Sequence, residues 1–510
     1  MRSDNSKKSS KSGYRYSGDT KRDIDGRNAT EHRMILQLVN FLDVLGVCAM
    51  FIIAWFTYYA ERMHTPYYFW GNVLVIFLYF LFYYLLARLY SGFSIQISSI
   101  SDIVYSQTLS AVIANLFIYI VMWLLSFRMP NVPVLLLMLG GQIGVIVIWT
   151  NASHKWYFNH YPAKATVIIY DEMQDMDKLI HDYGMTTHFN TIRKINIHEI
   201  FPKECPDGEN GKPRNSLEDT RIGNMVDDAQ DVFLCCLHSH ERNQIIKYCV
   251  AHEITVYAIP RIGDVIMSGA EKMHLFHMPI LRLQRYNPAP EYLFFKRFFD
   301  ILISGILLVI LSPLMLVLTI IIRSDGGTAF YRQKRLTQNG RVFEVLKFRS
   351  MRMDAEKDGV ARLSTGENDP RITKVGRFIR SCRMDELPQL INILKGDMSI
   401  VGPRPERPEI AQQYKETLPE FDLRLQCKCG LTGYAQVYGK YNTTPYDKLL
   451  MDLMYISKPS LAEDFKICLA TVKILFMKDS TEGVADGQTT AEAGPQKETE
   501  TGSSTDNRTE

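Results

Sequence analysis

Five long apolar segments constrain this chain more than any other feature of its 510 residues. The first four each approach the roughly 20 residues that a membrane-spanning helix needs, and few charges interrupt them. They cover residues 35–59, 69–90, 104–126 and 132–151. Helices buried in a soluble bundle are the weaker alternative, because four such segments follow one another closely. The sequence therefore predicts a transmembrane bundle of four helices over residues 34–152.

Cations flank this predicted bundle on both sides. Lys21, Arg22, Arg27 and Arg33 precede it, and Lys155 and Lys164 follow it. Because cytoplasmic loops carry an excess of Lys and Arg, we expect both ends of the bundle in the cytoplasm. The nine cysteines lack paired metal-ligand spacing, which agrees with a reducing compartment. The polar ends of the chain, residues 1–33 and 479–510, are predicted to be disordered.

Short apolar runs alternate with helical patterns over residues 160–285. The runs at 165–170, 231–236 and 254–259 are typical of buried parallel strands. They predict a small open α/β domain of the Rossmann-like class. A dinucleotide site needs a glycine-rich turn after the first strand, and here that turn contains Asp171 and Glu172 instead. We therefore expect a structural or assembly role for this domain.

The fifth apolar segment, residues 298–322, is interrupted by Ser312-Pro313 and flanked by cations. A proline inside a helix removes a hydrogen bond and costs about 3 kcal/mol or more unless a kink relieves the clash. If four spans return the chain to the cytoplasm, a fifth crossing would export residues 324–510 away from activated nucleotides. A re-entrant helix that breaks at Ser312 and Pro313 satisfies both the flanking charges and this parity. An ordinary kinked span is the alternative that the sequence leaves open.

Adjacent carboxylates at Asp385 and Glu386 lie within a strongly basic stretch. The cations are Lys347, Arg349, Arg371, Lys374, Arg377, Arg380 and Arg383 before them and Arg404 and Arg407 after them. A helix with Leu387, Leu390 and Leu394 on one face is predicted to follow, which places Asp385 near its N-cap. The plain interpretation is that Asp385 caps this helix. The surrounding cations favour a phosphate site, in which one carboxylate attacks phosphorus or contacts substrate and the other holds Mg²⁺.

Several stretches of residues 291–477 together carry a family resemblance. They include Lys296-Arg297-Phe298-Phe299-Asp300, Lys347-Phe348-Arg349-Ser350-Met351, Asp385-Glu386-Leu387-Pro388-Gln389-Leu390, Gly402-Pro403-Arg404-Pro405 and Leu431-Thr432-Gly433. This region resembles the bacterial sugar transferase family, the monotopic polyprenyl-phosphate phosphoglycosyl transferases. The whole chain resembles the family's long form, in which a four-helix membrane bundle and a Rossmann-like domain precede a mainly helical catalytic domain with a re-entrant helix.

The resemblance implies transfer of a sugar 1-phosphate from a UDP-sugar to undecaprenyl phosphate, with release of UMP. Asp385 would be the nucleophile that forms an aspartyl phosphosugar, and Glu386 would hold Mg²⁺. Such a reaction starts a lipid-linked exopolysaccharide, capsule or O-antigen. Five further residues are expected to contact phosphate or substrate. They are Lys347, Arg349, Arg380, Arg404 and Asp452.

The resemblance also implies a setting for the protein. It predicts a multi-pass protein of the bacterial inner membrane, surrounded by membrane lipid, with the middle and catalytic domains on the cytoplasmic face. A homodimer through the bundle or the middle domain is a further expectation. The net charge of +3 is too small to predict a nucleic-acid partner. The sequence does not specify the sugar, since glucose, galactose and N-acetylated hexosamines are all compatible.

Three positions depart from the family's usual pattern. Cys429 replaces a proline, Thr337 replaces a glycine, and Tyr438 stands where the family often has asparagine. These departures bear on the shape of the nucleotide or sugar pocket rather than on the acids. Apolar helical stretches over residues 445–477, with interspersed cations, fit either a membrane interface or core packing.

Two other classes of protein compete with this interpretation. A membrane-anchored assembly or regulatory protein would carry an inactive transferase domain, but it would have no need to retain Asp385, Glu386, Arg380 and Arg404. A processive glycosyltransferase synthase would need spaced acidic metal motifs in a large nucleotide-sugar domain, and the sequence has none.

Overall fold

The structure is a computed structural model of the chain. It describes residues 19–62, 69–126, 129–171, 176–182, 185–201, 220–235, 238–324, 327–353, 355, 371–439 and 443–475. Residues 1–18 and 479–510 lie outside this part of the chain, and both belong to the ends that the sequence predicts to be disordered. Two compact units divide the protein, Met1–Pro162 and Ala163–Glu510.

The first unit contains four long helices. They are α1 (Asp19–Ala54), α2 (Phe69–Leu89), α3 (Ile100–Ser126) and α4 (Val132–His160). Each contributes an apolar stretch long enough to cross a membrane, by length and composition, and in α1 this stretch begins at Met34. Helix α1 begins inside the segment predicted to be disordered, because a nucleated helix gains one hydrogen bond per added residue and extends easily into a polar flank. These apolar helices indicate a membrane protein.

Buried polar side chains connect three of these helices. The Tyr79 hydroxyl donates to Asn115 Oδ1 at 3.0 Å, and Asn115 Nδ2 donates to Gln142 Oε1 at 2.7 Å. Gln142 Nε2 donates back to the Tyr79 hydroxyl at 2.8 Å and closes the ring. Side-chain hydrogen bonds of this kind fix which helix faces pair, since apolar side chains alone allow many arrangements.

The second unit begins with a four-stranded parallel sheet in the order β2-β1-β3-β4. Its strands are β1 (Lys164–Tyr170), β2 (Phe189–Asn196), β3 (Asp231–Cys235) and β4 (Thr255–Ala258). Its helices are α5 (Met176–Asp182), α6 (Ile197–Ile200), α7 (Thr220–Val226) and α8 (Ser239–Ala251).

The predicted parallel sheet is confirmed, and three of its strands are those expected from the sequence. Strand β2 was not predicted, because it lies at the edge of the sheet and its polar residues give no apolar run. The sequence predicts that the turn after β1 does not bind a dinucleotide. Residues 172–175 of this turn lie outside the described residues.

The remaining elements of the second unit surround the turn that contains Asp385 and Glu386. The helices are α9 (Ile262–Ser268), α10 (Pro290–Arg323), α11 (Lys374–Ser381), α12 (Gln389–Lys395), α13 (Pro408–Thr417), α14 (Tyr434–Tyr438), α15 (Pro445–Ser457) and α16 (Leu461–Leu475). The strands form an antiparallel pair β5 (Glu271–Leu275) and β6 (Met278–Arg282), an antiparallel pair β7 (Phe330–Leu336) and β8 (Val342–Phe348), and a parallel pair β9 (Ser399–Val401) and β10 (Gly430–Thr432).

Helix α10 runs through Pro313 as one helix, so the predicted break at Ser312 and Pro313 does not interrupt the secondary structure. Pro313 has no N–H to donate to the carbonyl oxygen of Val309, four residues before it. The Ser312 hydroxyl donates to that same oxygen at 2.8 Å. The serine thus satisfies the acceptor that the proline leaves open, and the helix continues.

Both halves of α10 are tied to the elements around the acids. In the first half, Arg297 donates to the carbonyl oxygens of Ile393 and Leu394 at the end of α12, at 2.7 and 2.8 Å. In the second half, Leu318 and Ile322 are buried with Phe348 and Ile379. The helix therefore packs along its length on one and the same part of the chain.

The core-packing interpretation of residues 445–477 is confirmed for α15, and a membrane interface stays a prediction for α16. In α15, Leu449, Leu450 and Leu453 are buried, so this helix packs in the core. In α16, Ile467 is fully buried while Phe465 is 58% exposed, so one face of this helix is apolar and uncovered within the described residues.

Candidate active site

The two acids lie in a single 3₁₀ turn, Met384–Glu386, between α11 and α12. Arg383 adopts a left-handed conformation with φ of 53° and turns the chain after α11. Pro388, which has no N–H, prevents an α-helical hydrogen bond back to residue 384, so the turn is closed by bonds three residues apart. The prediction that Asp385 caps the following helix is wrong: Pro388 occupies the N-cap of α12, and no side chain caps it.

Helix α11 brings Arg380 to this turn. It packs closely at Gly376, where an added Cβ would clash with the carbonyl oxygen of Ser350. Ile379 is fully buried in the core, whereas Phe378 on the same helix is 59% exposed. The charge of Arg380 acts on Asp385 and lowers the pKa of that carboxyl, against the larger raising effect of burial.

Glu386 is paired with two cations through one carboxylate oxygen. Lys347 Nζ lies 2.7 Å from Glu386 Oε1, and Arg404 Nη2 lies 3.3 Å from the same atom. Burial is the largest single influence on this group and raises its pKa. Lys347, Arg404 and Arg383 together outweigh burial and hold the pKa of Glu386 well below its usual value. Glu386 is therefore ionised throughout the neutral range.

Asp385 differs from its neighbour in both contacts and charge. Among the described residues, no side chain or backbone group donates a hydrogen bond to its carboxylate. Burial, and to a smaller extent the negative charge of Glu386, raise the pKa of Asp385 above its usual value, although Lys347, Arg380 and Arg404 act in the opposite direction. Asp385 is thus the more basic of the two acids and the one with open oxygen atoms.

A buried ion pair contacts the backbone of the loop that carries Arg404. Arg424 Nη2 lies 2.7 Å from Asp452 Oδ2, and these side chains are only 3% and 1% exposed. The same Arg424 nitrogen donates to the backbone carbonyl of Arg404 at 3.0 Å. Asp452, predicted to contact substrate, is therefore linked to the acids through Arg424 and Arg404.

Arg349, a predicted phosphate ligand, contacts the end of α10. Its Nη2 donates to the carbonyl oxygen of Ile322 at 2.9 Å, near the end of α10, and its side chain packs against Gly327. Burial leaves it 8% exposed. Its predicted role in binding phosphate stays a prediction.

Arg424, Arg335 and Glu406 are members of the site region that the sequence reasoning did not assign. Arg335 Nη1 donates to the carbonyl oxygen of Pro405 at 3.0 Å, and burial lowers the pKa of this guanidinium to about 10. Glu406 lies 3.5 Å from Arg424 Nη1. Glu406 could have been predicted, because it directly follows the Gly402-Pro403-Arg404-Pro405 segment. In contrast, no local sequence pattern distinguishes Arg424 from an ordinary surface arginine.

Two of the departures from the family pattern contact each other. Cys429 Sγ lies 3.4 Å from Thr337 Oγ1, and both residues are buried. The Thr337 hydroxyl donates to the carbonyl oxygen of Asp397 at 2.9 Å. Thr337 and Cys429 thus pack against each other in the interior, next to the end of β7. Tyr438, the third departure, is 54% exposed and lies elsewhere, on α14 beside Tyr434.

Asp385 and Glu386 offer carboxylate oxygens to a divalent cation. The described residues contain no group of three or more His, Cys, Asp or Glu side chains that could hold a metal ion. Mg²⁺ commonly binds through one or two carboxylates plus substrate phosphates and water. Because the Asp385 oxygens and Glu386 Oε2 accept no hydrogen bond from described residues, the two acids fit this kind of site.

Comparison with known proteins agrees with this part of the structure. Residues 291–478 match the family model described as bacterial sugar transferase. The chain is 39% identical over 191 residues to the UDP-glucose:undecaprenyl-phosphate glucose-1-phosphate transferase of Caulobacter vibrioides, which covers 36% of this chain and 71% of that protein. The chain belongs to the bacterial sugar transferase family.

Two further relatives are longer. The galactosyl transferase CpsE of Streptococcus agalactiae serotype III is 44% identical over 204 residues, or 37% of this chain and 43% of that protein. The undecaprenyl-phosphate galactose phosphotransferase of Salmonella typhimurium is 36% identical over 244 residues, or 45% of this chain and 50% of that protein. The chain thus spans about half the length of these curated relatives.

Proposed function

We propose that the protein transfers a sugar 1-phosphate from a UDP-sugar to undecaprenyl phosphate and releases UMP. The observation that carries this proposal is the contrast between the acids. Glu386 is ionised and paired with Lys347 and Arg404, while Asp385 beside it has a raised pKa and open oxygens. Relatives named for sugar-phosphate transfer to undecaprenyl phosphate support the same reaction.

The reaction proceeds in two displacements at one phosphorus atom. A carboxylate oxygen of Asp385 attacks the phosphorus that bears the sugar, and the bond from that phosphorus to the bridging oxygen breaks, which releases UMP. The product is an aspartyl phosphosugar. A phosphate oxygen of undecaprenyl phosphate then attacks the same phosphorus and breaks its bond to Asp385. The carboxylate is restored, and the lipid diphosphate sugar leaves.

The cations around the turn bind and orient the phosphates. Arg404 is 43% exposed, so its guanidinium can contact substrate while it pairs with Glu386. Lys347 and Arg380 place positive charge beside Asp385, where negative charge collects as the bond to phosphorus forms. Fixed cations of this kind stabilise charge spread over the phosphoryl oxygens in the transition state.

Mg²⁺, if bound by Glu386 with help from the substrate phosphates, would neutralise diphosphate charge. The role of Glu386 is then to remain ionised while it pairs with Lys347 and Arg404. A carboxamide at this position would retain the shape of the side chain but lose the charge that such an ion requires.

We further propose that α10 bends at Pro313, so that it enters the membrane and leaves on the same side. A helix that crosses a bilayer ends on the opposite face, yet contacts to one compact part of the chain occur along both halves of α10. The positive flanks of the first four helices favour a cytoplasmic location for the acids, in a bacterial inner membrane. Labelling of Arg332→Cys, in a Cys382→Ala background, by a membrane-impermeant maleimide from inside-out vesicles only would support this orientation. Labelling from intact cells would contradict it.

The reaction would begin a lipid-linked exopolysaccharide, capsule or O-antigen, and the enzyme would work as a homodimer. The names of the relatives include glucose and galactose, so both sugars are candidates here. A panel of UDP-sugars identifies the sugar, and cross-linking of the protein in native membranes tests the dimer.

The proposed function is tested by UMP release from UDP-sugars in the presence of Mg²⁺ and undecaprenyl phosphate. Asp385→Asn should abolish both turnover and an acid-labile sugar-phosphate adduct on the protein. Asp422→Asn, which removes an exposed carboxylate paired with Lys415, is the matched control and should remain active. Release of UDP instead of UMP, or activity of Asp385→Asn above about 1% of the unmodified enzyme, would contradict the proposal.

A further inference from the structure

Arg424 is a buried cation that the reaction described above does not use. Its Nε and Nη2 atoms donate to Asp452 Oδ2 at 2.9 and 2.7 Å. Its Nη1 atom lies 3.5 Å from Glu406 Oε1, and Nη2 also donates to the carbonyl oxygen of Arg404 at 3.0 Å. One guanidinium thus joins two acids and a backbone carbonyl, and the side chains of Arg424 and Asp452 are buried.

The other side of the same loop is held as well. Arg335 Nη1 donates to the carbonyl oxygen of Pro405 at 3.0 Å, and the Leu336 amide donates to the carbonyl oxygen of Glu406 at 3.0 Å. Three successive carbonyls of the loop, from residue 404 to residue 406, are therefore fixed by hydrogen bonds. Prolines at 403 and 405 restrict the backbone further.

This arrangement fixes the backbone of Arg404 while its side chain stays partly exposed. The Arg404 guanidinium reaches Glu386 at 3.3 Å, and the same side chain is 43% exposed. A long side chain on a mobile loop would lose more conformational entropy on binding a phosphate than one on a fixed backbone. The buried pair of Arg424 and Asp452 supplies the fixed backbone.

We propose that Arg424 is a positioning residue for Arg404, and that Asp452 acts on the reaction by orienting Arg424 rather than by contacting substrate. This inference rests on the proposed function. A lysine cannot replace Arg424, because its single ammonium does not present the planar fork that joins Asp452, Glu406 and the Arg404 carbonyl.

The experiment is a double-mutant cycle between Arg424→Lys and Arg404→Ala, with kcat/KM for UMP release as the measured quantity. Arg424→Lys alone should lower kcat/KM by about 10²-fold, the order expected when a reacting group is misplaced by about 1 Å. In the Arg404→Ala background, the same change should have less than about a threefold effect, because its target is gone. Asp452→Asn should behave in the same way. Losses that multiply in the double variant would overturn the inference.

A second readout separates positioning from general loss of structure. In Arg424→Lys, hydrogen exchange at the Leu336 amide, which reports the Glu406 carbonyl, should accelerate at least about tenfold. Arg242→Lys is the matched control: it disrupts a different arginine–aspartate pair, in which the buried Arg242 donates to the partly exposed Asp264 at 2.6 and 2.7 Å, and it should leave both kcat/KM and this amide unchanged. An equal loss in the control would show a general effect and overturn the inference.

The two proposals fail in different ways. Absence of UMP release by the unmodified protein would refute the proposed function, and the hydrogen-exchange comparison would still decide whether Arg424 holds the loop. UMP release by the unmodified protein, together with unchanged exchange at Leu336 in Arg424→Lys, would refute only the positioning role.

Discussion

Lys347 Nζ lies 2.7 Å from Glu386 Oε1, an oxygen that also faces Arg404. This contact stabilises the ionised form of Glu386 but leaves Asp385, one residue earlier, without a hydrogen bond from the described residues. The pKa values of the two acids consequently shift in opposite directions. Adjacent carboxylates with separated pKa values are suited to separate tasks. The sequence predicts that both acids belong to one site, and the structure shows that their contacts and the directions of their pKa shifts differ.

The two acids should have opposite effects on stability at pH 7. The pKa of Asp385 is raised in the folded protein, so the folded state binds the proton more tightly, and ionisation above that pKa destabilises the fold. Asp385→Asn should therefore raise Tm. The pKa of Glu386 is lowered, so its ionisation stabilises the fold above the usual value of 4.5. Glu386→Gln should lower the free energy of unfolding by about 2 kcal/mol, as for a charged hydrogen bond.

Thermal unfolding in detergent at several pH values checks this pair of predictions. The advantage of Asp385→Asn should disappear as the pH falls through the raised pKa of Asp385 towards the usual value of 3.8, where both states become protonated. The stabilisation by Glu386 should be lost below 4.5, as the pH falls towards its lowered folded pKa. Asp422→Asn is a control with little expected effect, and shifts of the same sign for both acids would contradict the assignment.

The pH dependence of adduct formation should follow Asp385. The carboxylate must be ionised to attack phosphorus, so the rate of UMP release without lipid acceptor should fall as the pH drops through the raised pKa of Asp385. Lys347 is the cation that lowers this pKa most. Lys347→Met should therefore move the acidic limb to higher pH. Lys334→Met, which removes an exposed charge from β7, should not move it, and an unchanged limb in Lys347→Met would exclude Asp385 as the titrating group.

Thr337 and Cys429 should be coupled energetically. Thr337→Gly alone removes a buried hydroxyl from both Cys429 and the Asp397 carbonyl and should destabilise the fold by about 1–3 kcal/mol. The double variant Thr337→Gly with Cys429→Pro should lose at least about 0.5 kcal/mol less than the sum of the single variants. Chemical denaturation measures the four values. Thr337→Gly combined with Cys427→Ala, a buried cysteine of a different core cluster, should be additive.

Periodicity and motifs predicted the elements of this protein better than their contacts. The apolar segments and three strands of the parallel sheet are all present, because each depends on local chemistry. Strand β2 was missed, since an edge strand needs no apolar run.

The site residues show the same difference between features that depend on sequence neighbours and features that depend on contacts distant in sequence. The Asp385-Glu386 pair and Arg404 could be recognised from neighbouring residues. Arg424 could not, because its role arises from contacts with Asp452 and with a backbone carbonyl distant in sequence. Arg349 lies in the basic stretch, but its side chain is buried and donates to a carbonyl oxygen at the end of α10, so its role in binding phosphate stays a prediction.

The N-terminal limit of a stable catalytic fragment should lie before α9, not at residue 285. Val265 of α9 is 3% exposed and packs in the same core as Leu450 of α15, and Gly269 lies against Ser457. A fragment that starts at residue 286 loses this helix and exposes the apolar surface beneath it, whereas one that starts at residue 260 retains it. Burial of one such side chain contributes about 1.5–3 kcal/mol, so the shorter fragment should have the lower Tm and the lower UMP release. Val265→Ala in the longer fragment should reproduce part of this loss, while Ile266→Ala, at an exposed position on the same helix, should not. Equal Tm values for the two fragments would place the boundary at residue 285 after all.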